Sequence, residues 1–190
     1  MQAVRKPITR ETRLYTYEDY CNWDDSERWE LIEGIAYAMA PAPSDFHQSI
    51  SSSIHVQIGQ FLRGKTCKIF SAPYDVRFNF NSKNNTVVQP DIVVICDKSK
   101  RDDKGGIGAP DMVVEILSPS SVSHDMLRKY GLYLKAGVRE YWIVDPEAKT
   151  VITHILKDGA YRGKIYEQND IVPVSVLAGC NVDLAEVFDR

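Results

Sequence analysis

The chain has 190 residues, of which 44% are hydrophobic and 26% charged, and this balance fits one soluble globular domain with its own core. Its net charge of -3 argues against a strongly basic nucleic-acid-binding coat, although a local basic groove remains compatible with it. No apolar run approaches the roughly 20 residues that span a bilayer, and residues 1–10 lack the apolar stretch of a signal peptide.

The cysteines are scattered along the chain, at Cys21, Cys67, Cys96 and Cys180, and no two of them form a CxxC pair. Such spacing predicts neither a zinc site nor a disulfide framework. We therefore expect a cytoplasmic protein in a reducing compartment.

The first third of the chain predicts two helices separated by a hairpin. A short helix is expected at residues 15–23, and a β-hairpin at residues 29–39 has a Glu-Gly dipeptide at its turn. Apolar residues then recur at helical spacing over residues 46–62, where Ser44 or Asp45 can cap the helix.

The middle of the chain predicts three strands, at residues 68–71, 74–80 and 87–95. The segment 96–110 is highly polar and carries three glycines, so it is interpreted as a mobile loop. Its basic side chains are expected to be solvated or to touch a nucleic-acid backbone.

The last part of the chain predicts a strand, a helix and a strand at residues 112–117, 122–136 and 138–144. This βαβ unit implies parallel strands with a right-handed crossover. An Asp-Gly turn near the C-terminus predicts a further hairpin, at residues 151–166, and a helical turn follows at residues 184–188. No repeat or linker divides the chain, so one α/β domain is expected.

Two acids lie inside apolar runs, where a charge is costly. Asp91 belongs to the run 87–95 and Glu115 to the run 112–117, and both runs have the composition of strands buried on each face. Carboxylates are rarely buried unless they are paired or bind a metal. A turn aspartate and a glutamate paired with an arginine would be the structural alternative.

Antiparallel pairing would place the two acids together. No helix is predicted between the runs, and a loop symmetric about residue 103 sets Asp91 opposite Glu115, on one side of the sheet with Cβ atoms roughly 4.5–5.5 Å apart. Such a pair repels unless one acid is protonated or a cation lies between them. Mg²⁺ suits this arrangement because it takes oxygen ligands, often one or two carboxylates together with waters and phosphate.

Lys129 is the third candidate, because it flanks the apolar face of the predicted helix and can lean over the carboxylate edge of the sheet. It also lies four residues after Asp125, so a solvated surface pair is the alternative. Arg128 and Lys135 are expected to point away from that face, where they can be solvated.

Three stretches resemble the Uma2 family, once catalogued as a domain of unknown function and placed in the PD-(D/E)xK nuclease superfamily: WELIEGIAYAMAPAPSDFHQ, QPDIVVICD and GAPDMVVEILSPSSVSHDMLRKYGLYLKAGVREYWIVDP. The resemblance runs from about residue 15 to residue 174, which is most of the chain. It implies a single restriction-endonuclease-like domain, in which a mixed β-sheet is flanked by helices and hairpins lie toward both ends.

The resemblance also implies roles for individual residues. Asp91 matches the acid of the first half-motif and Glu115 the acid of the second, and both would bind the metal together with the backbone carbonyl of Ile116. The superfamily lysine would stand at position 117, which is leucine here, so Lys129 becomes its stand-in. Second-tier candidates for a ligand, a base or a phosphate contact are Glu30, His47 and Asp125.

The expected function is a Mg²⁺- or Mn²⁺-dependent endonuclease that hydrolyses phosphodiester bonds in nucleic acid, with DNA as the favoured substrate. One alternative is a catalytically inactive nuclease fold that binds nucleic acid or a partner protein, which the missing lysine at position 117 favours. Another is a hydrolase of small phosphoesters. A homodimer would suit double-strand cleavage, and no membrane partner is expected.

Overall fold

A computed structural model describes residues 9–10, 13–23, 28–39, 42–80, 84–118 and 124–189, without the side chains of residues 9, 10, 124 and 125. The helices are α1 (Tyr17–Cys21), α2 (Asp45–Phe61), α3 (His124–Ala136) and α4 (Leu184–Val187). The strands are β1 (Thr9–Arg10), β2 (Trp29–Ile32), β3 (Ile35–Ala38), β4 (Lys68–Ser71), β5 (Val76–Phe78), β6 (Thr86–Val88), β7 (Ile92–Ile95), β8 (Arg101–Asp102), β9 (Gly105–Ile107), β10 (Met112–Ile116), β11 (Glu140–Asp145), β12 (Thr150–Lys157), β13 (Ala160–Glu167), β14 (Ile171–Pro173) and β15 (Asn181–Asp183). None of these helices has the length and apolar character needed to cross a membrane.

The strands form two large mixed sheets and a small hairpin. Sheet A has the order β1-β3-β2-β6-β5-β9-β8, sheet B has the order β13-β12-β11-β10-β7-β4, and β14 pairs with β15. The predicted mixed α/β class is thus confirmed, with two sheets in place of the single sheet expected. The βαβ prediction is also confirmed, because β10 and β11 run parallel and α3 connects them.

Sheet B carries a hydrophobic cluster on each of its faces. On one face α2 packs with the C-terminal elements against the even-numbered residues of β7 and β10. On the other face α3 and sheet A cover the odd-numbered residues. Successive side chains of a strand point to opposite faces, so the fully apolar runs seen in the sequence are those of a sheet covered on both sides.

The prediction of one strand over residues 87–95 is wrong. Strand β6 belongs to sheet A and β7 belongs to sheet B, and the chain crosses between the two sheets at residues 89–91. The apolar residues on both sides of the crossing are buried. The sequence is therefore apolar on both sides of it, although β6 and β7 form hydrogen bonds with strands of different sheets. Pro90 cannot donate to a ladder, which is consistent with a break there.

Residues 96–110 are ordered rather than a mobile loop, so that prediction is wrong as well. They contain a 3-10 turn at Lys98–Lys100 followed by β8 and β9, and β9 runs parallel to β5. A Cβ at Gly105 would lie 2.3 Å from the Asp75 carbonyl oxygen, and Gly106 N donates to that oxygen at 2.8 Å. Gly105 therefore allows a close backbone approach rather than motion.

Cys67 and Cys96 form a disulfide, so the expectation of no disulfide is wrong. The two cysteines flank β4 and β7, whose antiparallel register pairs Lys68 with Ile95. Strand register brings together two cysteines that lie 29 residues apart in sequence. The cysteine spacing alone does not predict this pairing. Cys21 is exposed and Cys180 is buried, and both are free.

Glu140 ties β11 to the segment that follows β14. Its carboxylate is fully buried and accepts hydrogen bonds from Trp142 Nε1 and Val176 N, both at 2.8 Å. Burial raises the pKa of this carboxyl, and the hydrogen bonds from Val176 and Trp142 oppose the rise. Each carboxylate oxygen of Glu140 thus accepts a hydrogen bond from a different donor.

Glu140→Gln is expected to lower the free energy of unfolding by about 1–3 kcal/mol, because the new amide nitrogen faces a donor and leaves buried groups unsatisfied. Urea denaturation of the purified protein measures the change. Glu147→Gln, an exposed substitution in the β11–β12 turn, is the matched control. Equal stability of the two variants would contradict the assigned role of Glu140.

Candidate active site

Asp91 lies at the crossing from sheet A to sheet B, directly before β7. Its Oδ2 accepts a hydrogen bond from Ile116 N at 2.8 Å, and its backbone carbonyl accepts one from Ala72 N at 3.0 Å. The carboxylate is therefore fixed against the end of β10.

The antiparallel register predicted for the two acidic runs is confirmed. Strands β7 and β10 pair with Ile92 opposite Val114. The same register, continued by one residue beyond β7, would set Asp91 opposite Glu115. Both carboxylates consequently lie at one end of sheet B.

Glu115 is held by two donors from α3. Its Oε1 accepts a hydrogen bond from the Tyr133 hydroxyl at 2.6 Å and lies 3.1 Å from Lys129 Nζ. Burial raises the pKa of the Glu115 carboxyl to about 8 against the opposing charge of Lys129, and the Asp91 and Glu30 carboxylates add to the rise. Burial likewise keeps the pKa of the Tyr133 hydroxyl well above its usual value, so it stays protonated and donates.

Lys129 bridges the two sheets. Its Nζ lies 3.0 Å from Glu30 Oε1 on β2 and 3.1 Å from Glu115 on β10, and the residue is only 7% exposed. Glu30 also accepts a hydrogen bond from Gln89 N at 2.9 Å. The structure thus brings Lys129 and Glu30 together with Glu115, whereas the side chain of Asp125 lies outside the described residues.

His47 lies in the first turn of α2, where Ser44 caps the helix by accepting a hydrogen bond from His47 N. Its Nε2 is 3.2 Å from the Ile116 carbonyl oxygen and 3.4 Å from Asp91 Oδ2. Burial lowers the pKa of His47, but the hydrogen bond to Asp91 and the charge of that carboxylate outweigh it, so the pKa lies above its usual value. His47 therefore contacts both the acid and the carbonyl of the candidate site.

The donor atoms at this site suit a hard cation. Two carboxylates and the Ile116 carbonyl meet at one sheet end, and the hydrogen bonds seen among the described residues engage Asp91 Oδ2 and Glu115 Oε1 but not the second oxygen of either acid. Across the described ranges, no three His, Cys, Asp or Glu side chains form a ready-made metal cluster. A cation here would complete its coordination with waters and substrate, as Mg²⁺ commonly does.

Sequence reasoning missed two polar residues of this site. Tyr133 has helical spacing with Lys129, four residues before it, so the two lie on one side of α3, but nothing in the pattern shows that the tyrosine hydroxyl reaches Glu115. Gln89 carried no signal apart from its position before Pro90. Its amide donates to Asp75 Oδ1 at 2.8 Å and accepts from Arg28 at 2.6 Å, which holds the crossing segment in place.

The expectation that Arg128 and Lys135 simply point into solvent holds only for Lys135, which is half exposed and pairs with Glu33 at 2.6 Å. For Arg128 the prediction is wrong. Its guanidinium lies 4.0 Å from the centre of the Tyr37 ring on β3, and the residue is partly buried. A helical pattern shows which face is apolar but not which neighbour covers the adjoining positions.

Comparison with known proteins gives relatives of similar length. Two proteins of Synechocystis sp. (strain ATCC 27184 / PCC 6803 / Kazusa) are similar to the chain: uncharacterized protein slr1290 is 29% identical over 157 residues, 80% of each chain, and uncharacterized protein sll1609 is 23% identical over 146 residues, 73% of this chain and 78% of its own length. The crystal structure of a putative nuclease belonging to DUF820 from Anabaena variabilis ATCC 29413 superposes with a TM-score of 0.72 at 23% identity, covering 92% of this chain and 97% of that one. This likeness shows that the two share a fold.

The family model Uma2, described as "Putative restriction endonuclease", matches residues 15–185. Because this match covers most of the chain, and includes every residue of the cluster around Asp91 and Glu115, the chain belongs to the Uma2 family.

Proposed function

We propose that this protein is a metal-dependent endonuclease that hydrolyses phosphodiester bonds in nucleic acid, with DNA as its substrate. One observation carries the proposal: Asp91, Glu115 and the Ile116 carbonyl meet at one sheet end with a buried lysine beside them. The description of the matched family as a restriction endonuclease and the description of the structural neighbour as a nuclease support the same reaction class. Residues 1–190 would form one nuclease domain with its core at about residues 15–174.

Asp91, Glu115 and the Ile116 carbonyl would hold Mg²⁺ or Mn²⁺, which when bound acidifies a coordinated water and offsets the charge of the phosphate. The charges of the cluster favour such an ion. The ammonium of Lys129 contacts the Glu30 and Glu115 carboxylates, and the Asp91 carboxylate is near enough to Glu115 to raise the pKa of its carboxyl. Burial is the main cause of the raised pKa of Glu115, and the Asp91 and Glu30 carboxylates add to it. A divalent cation would offset their repulsion.

Lys129 would orient the attacking water or stabilise the charge that develops on the phosphate. Its ammonium is held between Glu30 and Glu115, so little reorganisation would be needed during the reaction. Tyr133 would act as a positioning residue, because its hydrogen bond fixes the rotamer of Glu115. His47, on α2, would orient the Asp91 carboxylate, because its Nε2 lies 3.4 Å from Asp91 Oδ2.

A second candidate function is a nuclease fold that binds nucleic acid without cutting it. The leucine at position 117, where the superfamily pattern has lysine, favours this reading. Calorimetry separates the two: a protein that binds duplex DNA but neither Mg²⁺ nor Mn²⁺ belongs to the second class. If the enzyme cuts both strands, two copies of so small a site would be needed, so a homodimer forms part of the first proposal.

Asp91→Asn and Glu115→Gln are each expected to abolish the nicking of plasmid DNA in Mg²⁺ or Mn²⁺, because each removes one charged ligand. Agarose-gel assays follow the nicking, and calorimetry with Mn²⁺ alone follows the loss of ion binding. Glu186→Gln, on the exposed side of α4, is the control and should retain both properties. Nicking that survives both site substitutions would rule out this site.

Lys129→Met is expected to lower the nicking rate by about 10²- to 10³-fold, the usual cost of losing one preorganised charge-stabilising donor. Binding of Mn²⁺ should persist, because both carboxylates remain. Lys135→Met removes a half-exposed lysine of the same helix and should leave the rate unchanged. Comparable rates for the two variants would remove Lys129 from the catalytic machinery.

The raised pKa of Glu115 also predicts how the stability of the metal-free protein depends on pH. Its pKa of about 8 lies above the ordinary value of 4.5, so the folded protein keeps a proton that the unfolded chain releases between these values. The free energy of unfolding contributed by this group is therefore fully present below about pH 4.5 and is lost as the pH rises toward 8. Glu115→Gln cannot titrate and should flatten this decline in urea denaturation across the window, whereas Glu186→Gln should not.

A further inference from the structure

The segment that crosses from sheet A to sheet B connects two carboxylates of the candidate site. Gln89 N donates a hydrogen bond to Glu30 Oε1 at 2.9 Å, and Asp91 follows two residues later in the chain. Pro90, between Gln89 and Asp91, is buried, and its ring fixes its own φ angle. A displacement of Gln89 would therefore move Asp91 and would also disturb the contact with Glu30.

The side chain of Gln89 uses its whole hydrogen-bonding capacity. Its Nε2 donates to Asp75 Oδ1 at 2.8 Å and to the Tyr20 hydroxyl oxygen at 3.0 Å. Its Oε1 accepts from Arg28 Nη2 at 2.6 Å and from Arg28 Nε at 3.2 Å. A primary amide has two N–H donors and two lone pairs on its oxygen, so all four are engaged. The amide has one orientation in this network, because a flipped amide would turn its N–H groups toward Arg28 and its oxygen toward Asp75.

The partners of this amide come from three separate parts of the chain. Tyr20 belongs to α1, Arg28 directly precedes β2, and Asp75 directly precedes β5. Asp75 is itself fixed, because the Tyr20 hydroxyl donates to its Oδ1 at 3.1 Å and Gly106 N donates to its backbone carbonyl at 2.8 Å. The network therefore anchors the start of the crossing segment to elements around sheet A, and Asp91 stands at the other end of that segment, before β7.

We propose that Gln89 is a positioning residue of the candidate metal site, and that its side-chain hydrogen bonds set the place of the Asp91 carboxylate relative to Glu30. The inference rests on the proposed function, because it concerns the ion that Asp91 would bind. Loss of a residue that orients a metal ligand commonly lowers metal affinity by roughly 10- to 100-fold. The alternative is that the amide only stabilises the fold, in which case its loss would lower the melting temperature and leave metal affinity unchanged.

Calorimetric titration with Mn²⁺, on the purified protein without substrate, tests the proposal. Gln89→Met has a side chain of similar length that makes none of the four hydrogen bonds, and it is expected to lower the Mn²⁺ affinity by roughly tenfold. Because the proposed ligands remain, nicking by Gln89→Met should recover at saturating Mn²⁺, whereas nicking by Asp91→Asn should not. Arg28→Met removes only the two donors to Gln89 Oε1, on an exposed residue, and should lower the affinity by a smaller factor.

Glu140→Gln is the matched control, because it disturbs another hydrogen-bonded side chain, opposite Met112 at the far end of β10. It should be less stable than the wild type and bind Mn²⁺ equally well. The same result for Gln89→Met would overturn the inference and leave the nuclease proposal standing. If Gln89→Met does not fold, wild-type affinity in Arg28→Met would overturn the inference in its place. Absence of Mn²⁺ binding and of nicking in the wild type would overturn both.

Discussion

A buried ammonium holds three separate parts of this protein together. Lys129 extends from α3 and lies within 3.1 Å of Glu30 on sheet A and of Glu115 on sheet B. An ion pair at such a buried place contributes little net stability when it is complete, but removing one member costs about 3–5 kcal/mol because the remaining charge is uncompensated. The position of α3 and the distance between the two sheets therefore depend on the same contact that defines the candidate site.

The cluster carries more acid than one lysine can balance. A protein selected for stability alone would be expected to replace one of these carboxylates, since burial and mutual repulsion raise the pKa of Glu115 to about 8. Strongly shifted acids of this kind concentrate at functional sites.

Much of the site could be predicted from the sequence because it depends on the pairing of two strands that are close together in the chain. The apolar runs around Asp91 and Glu115, together with the short connection between them, were enough to give the correct register. The approach of Lys129 from the helix followed from its place beside the apolar face. Glu30 and His47 came only from resemblance to a family, because no local pattern links them to residues more than 40 positions away.

What escaped prediction depends on packing between elements that are distant in sequence. The crossing from sheet A to sheet B at residues 89–91 is invisible in a run that stays apolar throughout. Three glycines in the segment 96–110 predict mobility, whereas Gly105 allows a close approach to the Asp75 carbonyl. The Cys67–Cys96 disulfide depends on the pairing of β4 with β7, and the contact of Arg128 with Tyr37 depends on how α3 sits over sheet A.

The leucine at position 117 has a physical explanation in the same packing. Leu117 follows β10, donates its backbone N–H to the Val144 carbonyl, and packs into the hydrophobic cluster under α3. An apolar side chain there helps to hold the helix that delivers Lys129, whereas a lysine at 117 would place a second ammonium under that helix. Because the ammonium is carried by the helix and not by the strand, its charge lies beside Glu30 and Glu115 only when α3 is packed against both sheets. Local loosening of α3 would consequently remove the lysine and the Tyr133 hydroxyl from Glu115 together, so the integrity of the site is linked to the docking of one helix.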